Sequence, residues 1–168
     1  MRKNTKRLAA TALGAAIVCI FTAFFQLKNP SGYGYIHIGD SFIYLFACTL
    51  PMPYSLLAGA IGASLADVIS GYAVYALPTF LVKALMAVGF SNRHKTLSAR
   101  NILAVVWASF VLNGGYFITE VILYNIEGAM ANIVPNLIQA GASFVVYIFF
   151  SVILEKTKAY NSFKEELK

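Results

Sequence analysis

Apolar residues along this chain gather into six long runs separated by short polar breaks. Their lengths and bounding turn formers predict helices at about 8–25, 36–50, 54–70, 74–90, 101–124 and 133–154. The break at 26–35 reads QLKNPSGYGY, whose Pro30, Gly32 and Gly34 predict a loop. The second run is short for a full crossing, and Pro51 and Pro53 punctuate its end. In the third, Ser55, Gly59, Gly62 and Ala66 fall on one helical face, which lets a neighbour approach closely. Gly71 and Tyr72 open a turn, SNRHKTLSAR forms the one strongly hydrophilic internal loop, and NIEGAMAN is expected to be another short loop. The tail from Glu155 to Lys168 is amphipathic enough to lie on a membrane surface, with a solvated end as the other reading.

Composition names the solvent for these runs. With 59% apolar residues, 12% charged residues and a mean hydropathy of +0.70, the 168-residue chain reads as an integral membrane protein, expected to form a single all-α domain over 1–168. The run from Leu8 to Phe25 follows the basic start MRKNTKR but ends in no small-residue cleavage site, so it reads as a first transmembrane helix and not a signal peptide. Cys19 and Cys48 lie in apolar runs without metal-ligand spacing and read as core residues, and no cofactor or metal is expected.

Charge orients the bundle. Arg2, Lys3, Lys6 and Arg7 precede the first helix; Arg93, Lys95 and Arg100 lie between the fourth and fifth; Lys156, Lys158, Lys164 and Lys168 follow the sixth. With six spans all of these share one side and Lys28 alone faces the other, so both termini are expected in the cytoplasm. The net charge of +6 follows from this topology and requires no nucleic acid, because the aromatic residues lie in the apolar runs, away from the basic loops.

In that orientation the polar side chains converge in the outer half of the membrane. His37, Asp40 and Ser41 open the second helix; Asp67 and Ser70 close the third. Tyr72, Tyr75, Thr79 and Lys83 descend one face of the fourth within about 80° of arc. Asn113, Tyr116 and Glu120 share a face of the fifth, and Asn132, Asn136, Gln139 and Ser143 form a stripe on the sixth. The inner halves read as almost wholly apolar. An outward-open pocket closed beneath by apolar packing fits a binding protein better than a channel or self-contained carrier, which would need polar groups along the inner half or internal repeats.

Each residue also has a plainer reading. Lys83 either pairs with Asp67 or Glu120 as a structural salt bridge or contacts ligand. His37 and Asp40 lie near enough to the interface for solvation, with Asp40 a candidate helix cap. Tyr33, Tyr35, Tyr72 and Tyr75 suit an interfacial aromatic belt. Asn136 and Gln139, with Asn113 opposite, fit a heterocycle or bind helix to helix. Ala10, Ala12, Gly14 and Ala16 on the first helix suit close packing inside the bundle or docking of another protein. A membrane enzyme would need an activated nucleophile, a metal motif or paired acids at diagnostic spacing, and the sequence has none of these. A purely structural subunit would leave the outer polar convergence unexplained.

The segments HIGDSFIYLFA and PMPYSLLAGAIGASLADVISGYAVYALPTFLVKALM, followed by a basic loop and two more helices, resemble the substrate-binding S components of energy-coupling factor (ECF) vitamin transporters. The branch is that of riboflavin, hydroxymethylpyrimidine or pyridoxine-type substrates; Leu77 before Pro78 is a minor departure from its pattern. The resemblance covers essentially the whole chain. It implies a six-helix subunit of a prokaryotic plasma membrane that binds a small vitamin or precursor from outside. It further implies association with a membrane coupling subunit and two cytoplasmic ATPases, docking through Ala10, Ala12, Gly14 and Ala16, and a ligand-closing external loop at Lys28–Tyr35. No Walker motif occurs in the chain, as expected of a subunit whose partners hydrolyse ATP.

Overall fold

The computed structural model describes residues 3–29 and 34–167; Pro30, Gly32 and Tyr33 of the predicted loop and the terminal charges Arg2 and Lys168 lie outside the described residues. The chain order is helix α1 (Lys3–Ala23), strands β1 (Gln26–Lys28) and β2 (Tyr35–His37), then helices α2 (Asp40–Ala47) and α3 (Met52–Ile69). A 3-10 turn at Ala73–Tyr75 leads into α4 (Ala76–Val88), followed by α5 (Ala99–Leu123), α6 (Ile126–Lys156) and α7 (Lys158–Leu167). Four of these, α1, α3, α5 and α6, are long and apolar enough to cross a membrane. Their outward faces carry bare hydrocarbon such as Leu13, Leu103, Phe110 and Ile122, as a lipid-facing surface requires.

Local sequence accounts for the boundaries. Pro51 precedes α3 with extended backbone and Pro53 occupies its first turn, where a missing N–H costs nothing. Ser98 caps α5 by accepting from the Asn101 N–H, and Asn125 caps α6 by accepting from the Gly128 N–H at 2.7 Å. That second cap corrects the expectation of a loop over NIEGAMAN: with Asn125 holding the first turn, Glu127, Ala129, Met130 and Ala131 continue as good helix formers. The helix predicted at 36–50 is shorter than expected, because residues 35–37 pair with β1 instead.

The small-residue face of α3 is the seam of the bundle. Ser55, Gly59, Gly62 and Ala66 are all buried, and a Cβ on Gly62 would run into the Ala15 carbonyl and lie 2.8 Å from Val18 Cβ. The stripe on α1 divides: Ala10 and Gly14 face inward, Gly14 against Phe46 and Ala58, whereas Ala12 and Ala16 are exposed. The four small residues of α1 therefore do not form one outward surface, since 100° per residue turns alternate members of the two pairs to opposite sides.

One end of the bundle gathers both termini. Lys6 Nζ meets Glu166 Oε2 at 2.6 Å and Arg7 Nε donates to the Leu167 carbonyl at 2.7 Å. Leu167 is buried beside Ala10, Leu50 and Ala58, so the tail is a helix docked on the bundle. Tyr160 shares a hydroxyl bond with Thr49 at 2.8 Å, and Lys164 Nζ donates to the His94 carbonyl at 2.8 Å. Burial pushes the Tyr160 hydroxyl up, while the exposed Glu166 carboxyl is held below the ordinary range by Lys6. This end also has its own buried polar contacts, Tyr147 with Cys48 and with the Thr96 carbonyl, where an almost wholly apolar half is expected from the sequence.

The polar centre lies toward the opposite end. Lys83 Nζ on α4 sits 2.7 Å from Asp40 Oδ1 on α2, both side chains wholly enclosed. Gln139 Nε2 on α6 donates to the other Asp40 oxygen at 2.9 Å. Lys83 thus pairs with Asp40 and not with Asp67 or Glu120, because the first turn of α2 is buried facing α4. Asp40 is neither solvated nor a cap: Gly39 holds the N-cap position, and no side chain bonds there. His37 is likewise buried.

Three stability predictions follow from these contacts. Gly62→Ala is expected to cost about 1–3 kcal/mol by overpacking the α1–α3 seam. Gly114→Ala, at a position with nothing within 4 Å, is expected to be neutral or stabilising; thermal unfolding in detergent checks both. Lys83→Met strands a buried carboxylate and is expected to cost about 3–5 kcal/mol, with much of the loss recovered when Asp40→Asn is added. Equal melting temperatures for the single and double variants would contradict the pairing.

Candidate functional site

The hairpin forms the roof of the site. β1 and β2 pair antiparallel with Gln26 opposite His37 and Lys28 opposite Tyr35. The two-residue period of a strand puts Tyr35 and His37 on one side and Ile36 on the other. The Tyr35 hydroxyl donates to Asp67 Oδ1 at the end of α3 at 2.6 Å, and its ring lies 5.1 Å from Tyr72 and 5.5 Å from His37. The His37 N–H donates to Gln139 Oε1 at 3.2 Å, and Asn29 Nδ2 donates to Asn132 Oδ1 at 2.8 Å. Gln26 Nε2 reaches Ser70 at 3.2 Å. The roof is therefore tied to α3 and α6 by side-chain bonds from both strands and from the residue that follows β1.

The walls come from four further segments. The turn after α3 supplies Tyr72 and Tyr75, α4 supplies Thr79, α5 supplies Tyr116 and Glu120, and α6 supplies Asn136 and Gln139. Thr79 and Tyr116 share a hydroxyl bond at 2.9 Å, and Asn132 Nδ2 donates to Glu120 Oε1 at 2.6 Å. Tyr75 stands 6.3 Å from both Tyr116 and Tyr124, completing an aromatic wall. The enclosed space is about 40 Å³, room for roughly one water molecule. Among the described residues no three His, Cys, Asp or Glu side chains are grouped so as to hold a metal ion.

Of the residues singled out from sequence, His37, Asp67, Tyr72, Tyr75, Thr79, Tyr116, Glu120, Asn136 and Gln139 all line this one cavity. Asp40 and Lys83 do not line it. They form an enclosed pair bonded to the wall residue Gln139, and the Lys83 ammonium lies 5.3 Å from the Tyr116 ring centroid. Asn113 is not brought to the cavity, because its amide is turned back to the Ser109 carbonyl one helical turn earlier, at 3.0 Å. Three lining residues were outside the candidate set: Asn29, Gly34 and Tyr35. The period-two spacing of Tyr35 and His37 was the available signal for Tyr35. For Asn29 and Gly34 the signal is coarser: both fall within the Lys28–Tyr35 loop that the resemblance marks as closing over ligand, but no spacing singles them out.

Comparison with known proteins converges on the same reading. Residues 2–156 match the family described as ECF-type riboflavin transporter, S component. A Pyrococcus woesei protein described as an uncharacterized protein in gap 3'region is 30% identical over 141 residues, covering 83% of this chain and 95% of that one. The thiamine precursor transporter HmpT of Lactococcus lactis subsp. cremoris (strain MG1363) is 24% identical over 164 residues, covering 97% of this chain and 96% of HmpT. The chain is a membrane protein of the transport class, and it belongs to the ECF-type riboflavin transporter S component family.

Proposed function

We propose that this chain is the substrate-specific binding subunit of an ECF-type transporter in a prokaryotic cell membrane. It captures a small water-soluble vitamin or precursor, of the hydroxymethylpyrimidine, thiamine-related or pyridoxine class, from outside. A coupling subunit and two cytoplasmic ATPases drive its uptake. The observation that carries this reading is the cavity under the hairpin, where tyrosine rings surround His37, Asp67, Glu120, Asn136 and Gln139. Apolar and aromatic walls with a few convergent polar groups are what a small heterocycle requires. The full-length match to the thiamine precursor transporter HmpT supports the precursor class.

The supporting arrangement of the chain is one membrane domain with six passes and both termini cytoplasmic. The bonds between the start of α1 and α7 place the two termini at one end, which an even number of passes requires. The basic residues Arg93 and Lys95 belong to the loop packed against the same α7, and Arg100 to the first turn of α5 that follows it. Two passes are composite, with β2 preceding α2 and the 3-10 turn preceding α4. On this reading the hairpin end faces outward, and the exposed Ala12 and Ala16 give the coupling subunit a close-approach surface on α1. The hairpin must lift to admit a heterocycle, because about 40 Å³ falls well short of the roughly 300 Å³ of a small-ligand site.

Riboflavin is the second reading, favoured by the description of the family itself. Calorimetry on the purified protein with hydroxymethylpyrimidine, thiamine, pyridoxine and riboflavin separates the two. A dissociation constant between nanomolar and low micromolar, about 8–12 kcal/mol, is expected for one of the first three. Asn136→Leu is expected to weaken that binding about tenfold or more while leaving the unfolding temperature nearly unchanged, since Asn136 is a half-buried wall residue. Tight binding of riboflavin alone would favour the second reading. A folded protein that binds none of the four would overturn both.

A further inference from the structure

The charge of the cavity wall has one sign. Glu120 is 4% exposed; its Oε1 accepts from Asn132, while Oε2 has no hydrogen-bond partner. Asn132 cannot turn its amide to relieve this, because its Oδ1 already accepts from Asn29 Nδ2. Asp67, 5% exposed, takes the Tyr35 hydroxyl on Oδ1, with Thr79 beside it. None of the described lining residues is Lys or Arg, and residues 30–33 of the hairpin, Pro-Ser-Gly-Tyr, carry no charge. The nearby ammonium of Lys83 is committed to Asp40 at 2.7 Å and does not line the cavity. His37 Nδ1 accepts the Gly39 N–H at 3.1 Å, so its ring proton sits on Nε2 and the imidazole is a neutral donor. The faces of Tyr35, Tyr72, Tyr75 and Tyr116 add the negative side of their quadrupoles.

We propose that the cavity selects heterocycles bearing an amino group or a positive charge and rejects their phosphorylated forms, with Glu120 as the specificity-determining residue. This rests on the vitamin-capture reading and narrows it. A ligand amino group donates to Glu120 Oε2, the acceptor that Asn132 leaves without a partner on this cavity-lining residue. A cationic ring is held between the two acids and the tyrosine faces. A phosphate finds no Lys or Arg among the described lining residues and meets two carboxylates that repel it, so its desolvation is poorly compensated.

The test is calorimetry on the full chain in detergent, with hydroxymethylpyrimidine, thiamine, the monophosphate of each, and riboflavin as probes. Hydroxymethylpyrimidine or thiamine is expected to bind about 30-fold or more tightly than its own monophosphate. Glu120→Gln, which keeps the side-chain shape, is expected to weaken the amino-bearing ligand about tenfold or more. Should that variant fail to fold, the comparison of each parent with its monophosphate on the unaltered protein still decides. A monophosphate within a few-fold of its parent, or riboflavin as the tightest ligand, overturns the charge selection while leaving vitamin capture standing. A folded protein that binds none of the probes overturns both.

Discussion

The enclosed pair between Lys83 and Asp40 constrains everything built around it. An ammonium and a carboxylate inside a membrane-embedded bundle are tolerable only together. That requirement fixes three elements at once. Asp40 holds the start of α2, Lys83 the middle of α4, and Gln139, which donates to Asp40, the middle of α6. Since Gln139 also accepts the His37 N–H, the same group of side chains determines where β2 enters. The pair therefore holds the elements around the cavity in register, and contributes nothing to its lining.

The hairpin then closes the space above. Its bonds to Asp67, Ser70, Asn132 and Gln139 are mostly between polar side chains at the end of the bundle away from the termini. Each contributes about 0.5–1.5 kcal/mol net, and they connect the roof to two different helices. By contrast the α1–α3 seam beneath is close packing, of Gly62 on the Ala15 backbone and of Gly14 on the Phe46 ring and Ala58. The molecule thus joins a rigid small-residue seam to a roof held by bonds that exchange readily with water or ligand.

At the far end, α7 does different work. It seals α1 with Leu167, braces the α2–α3 turn through Tyr160 and Thr49, and holds the α4–α5 loop through Lys164. The two ends are built from different materials: aromatic rings and acids around the cavity, basic residues and hydroxyls around the termini. A bundle with such unlike ends has a direction.

The sequence by itself determined the membrane class, the approximate helices and most of the cavity wall. Apolar run length and the depth of polar residues are local properties, and helical periodicity already aligned Tyr75 with Thr79 and Tyr116 with Glu120. Pairings between elements were not legible. Helical depth offers Lys83 the partners Asp67 and Glu120, and only the burial of the first turn of α2 against α4 selects Asp40 instead. Asn113 shares a helical face with Tyr116 and Glu120, yet its rotamer turns it to its own backbone. Ala10 and Gly14 look like Ala12 and Ala16 in one dimension, and only packing against α3 decided which pair faces out. The α6 start at Asn125 is ambiguous in the sequence despite its cap, because Gly128 and the flanking asparagines read equally well as a loop. Tertiary structure alone decided the position of Asn29 and the docking of α7, since both depend on contacts between residues more than a hundred positions apart.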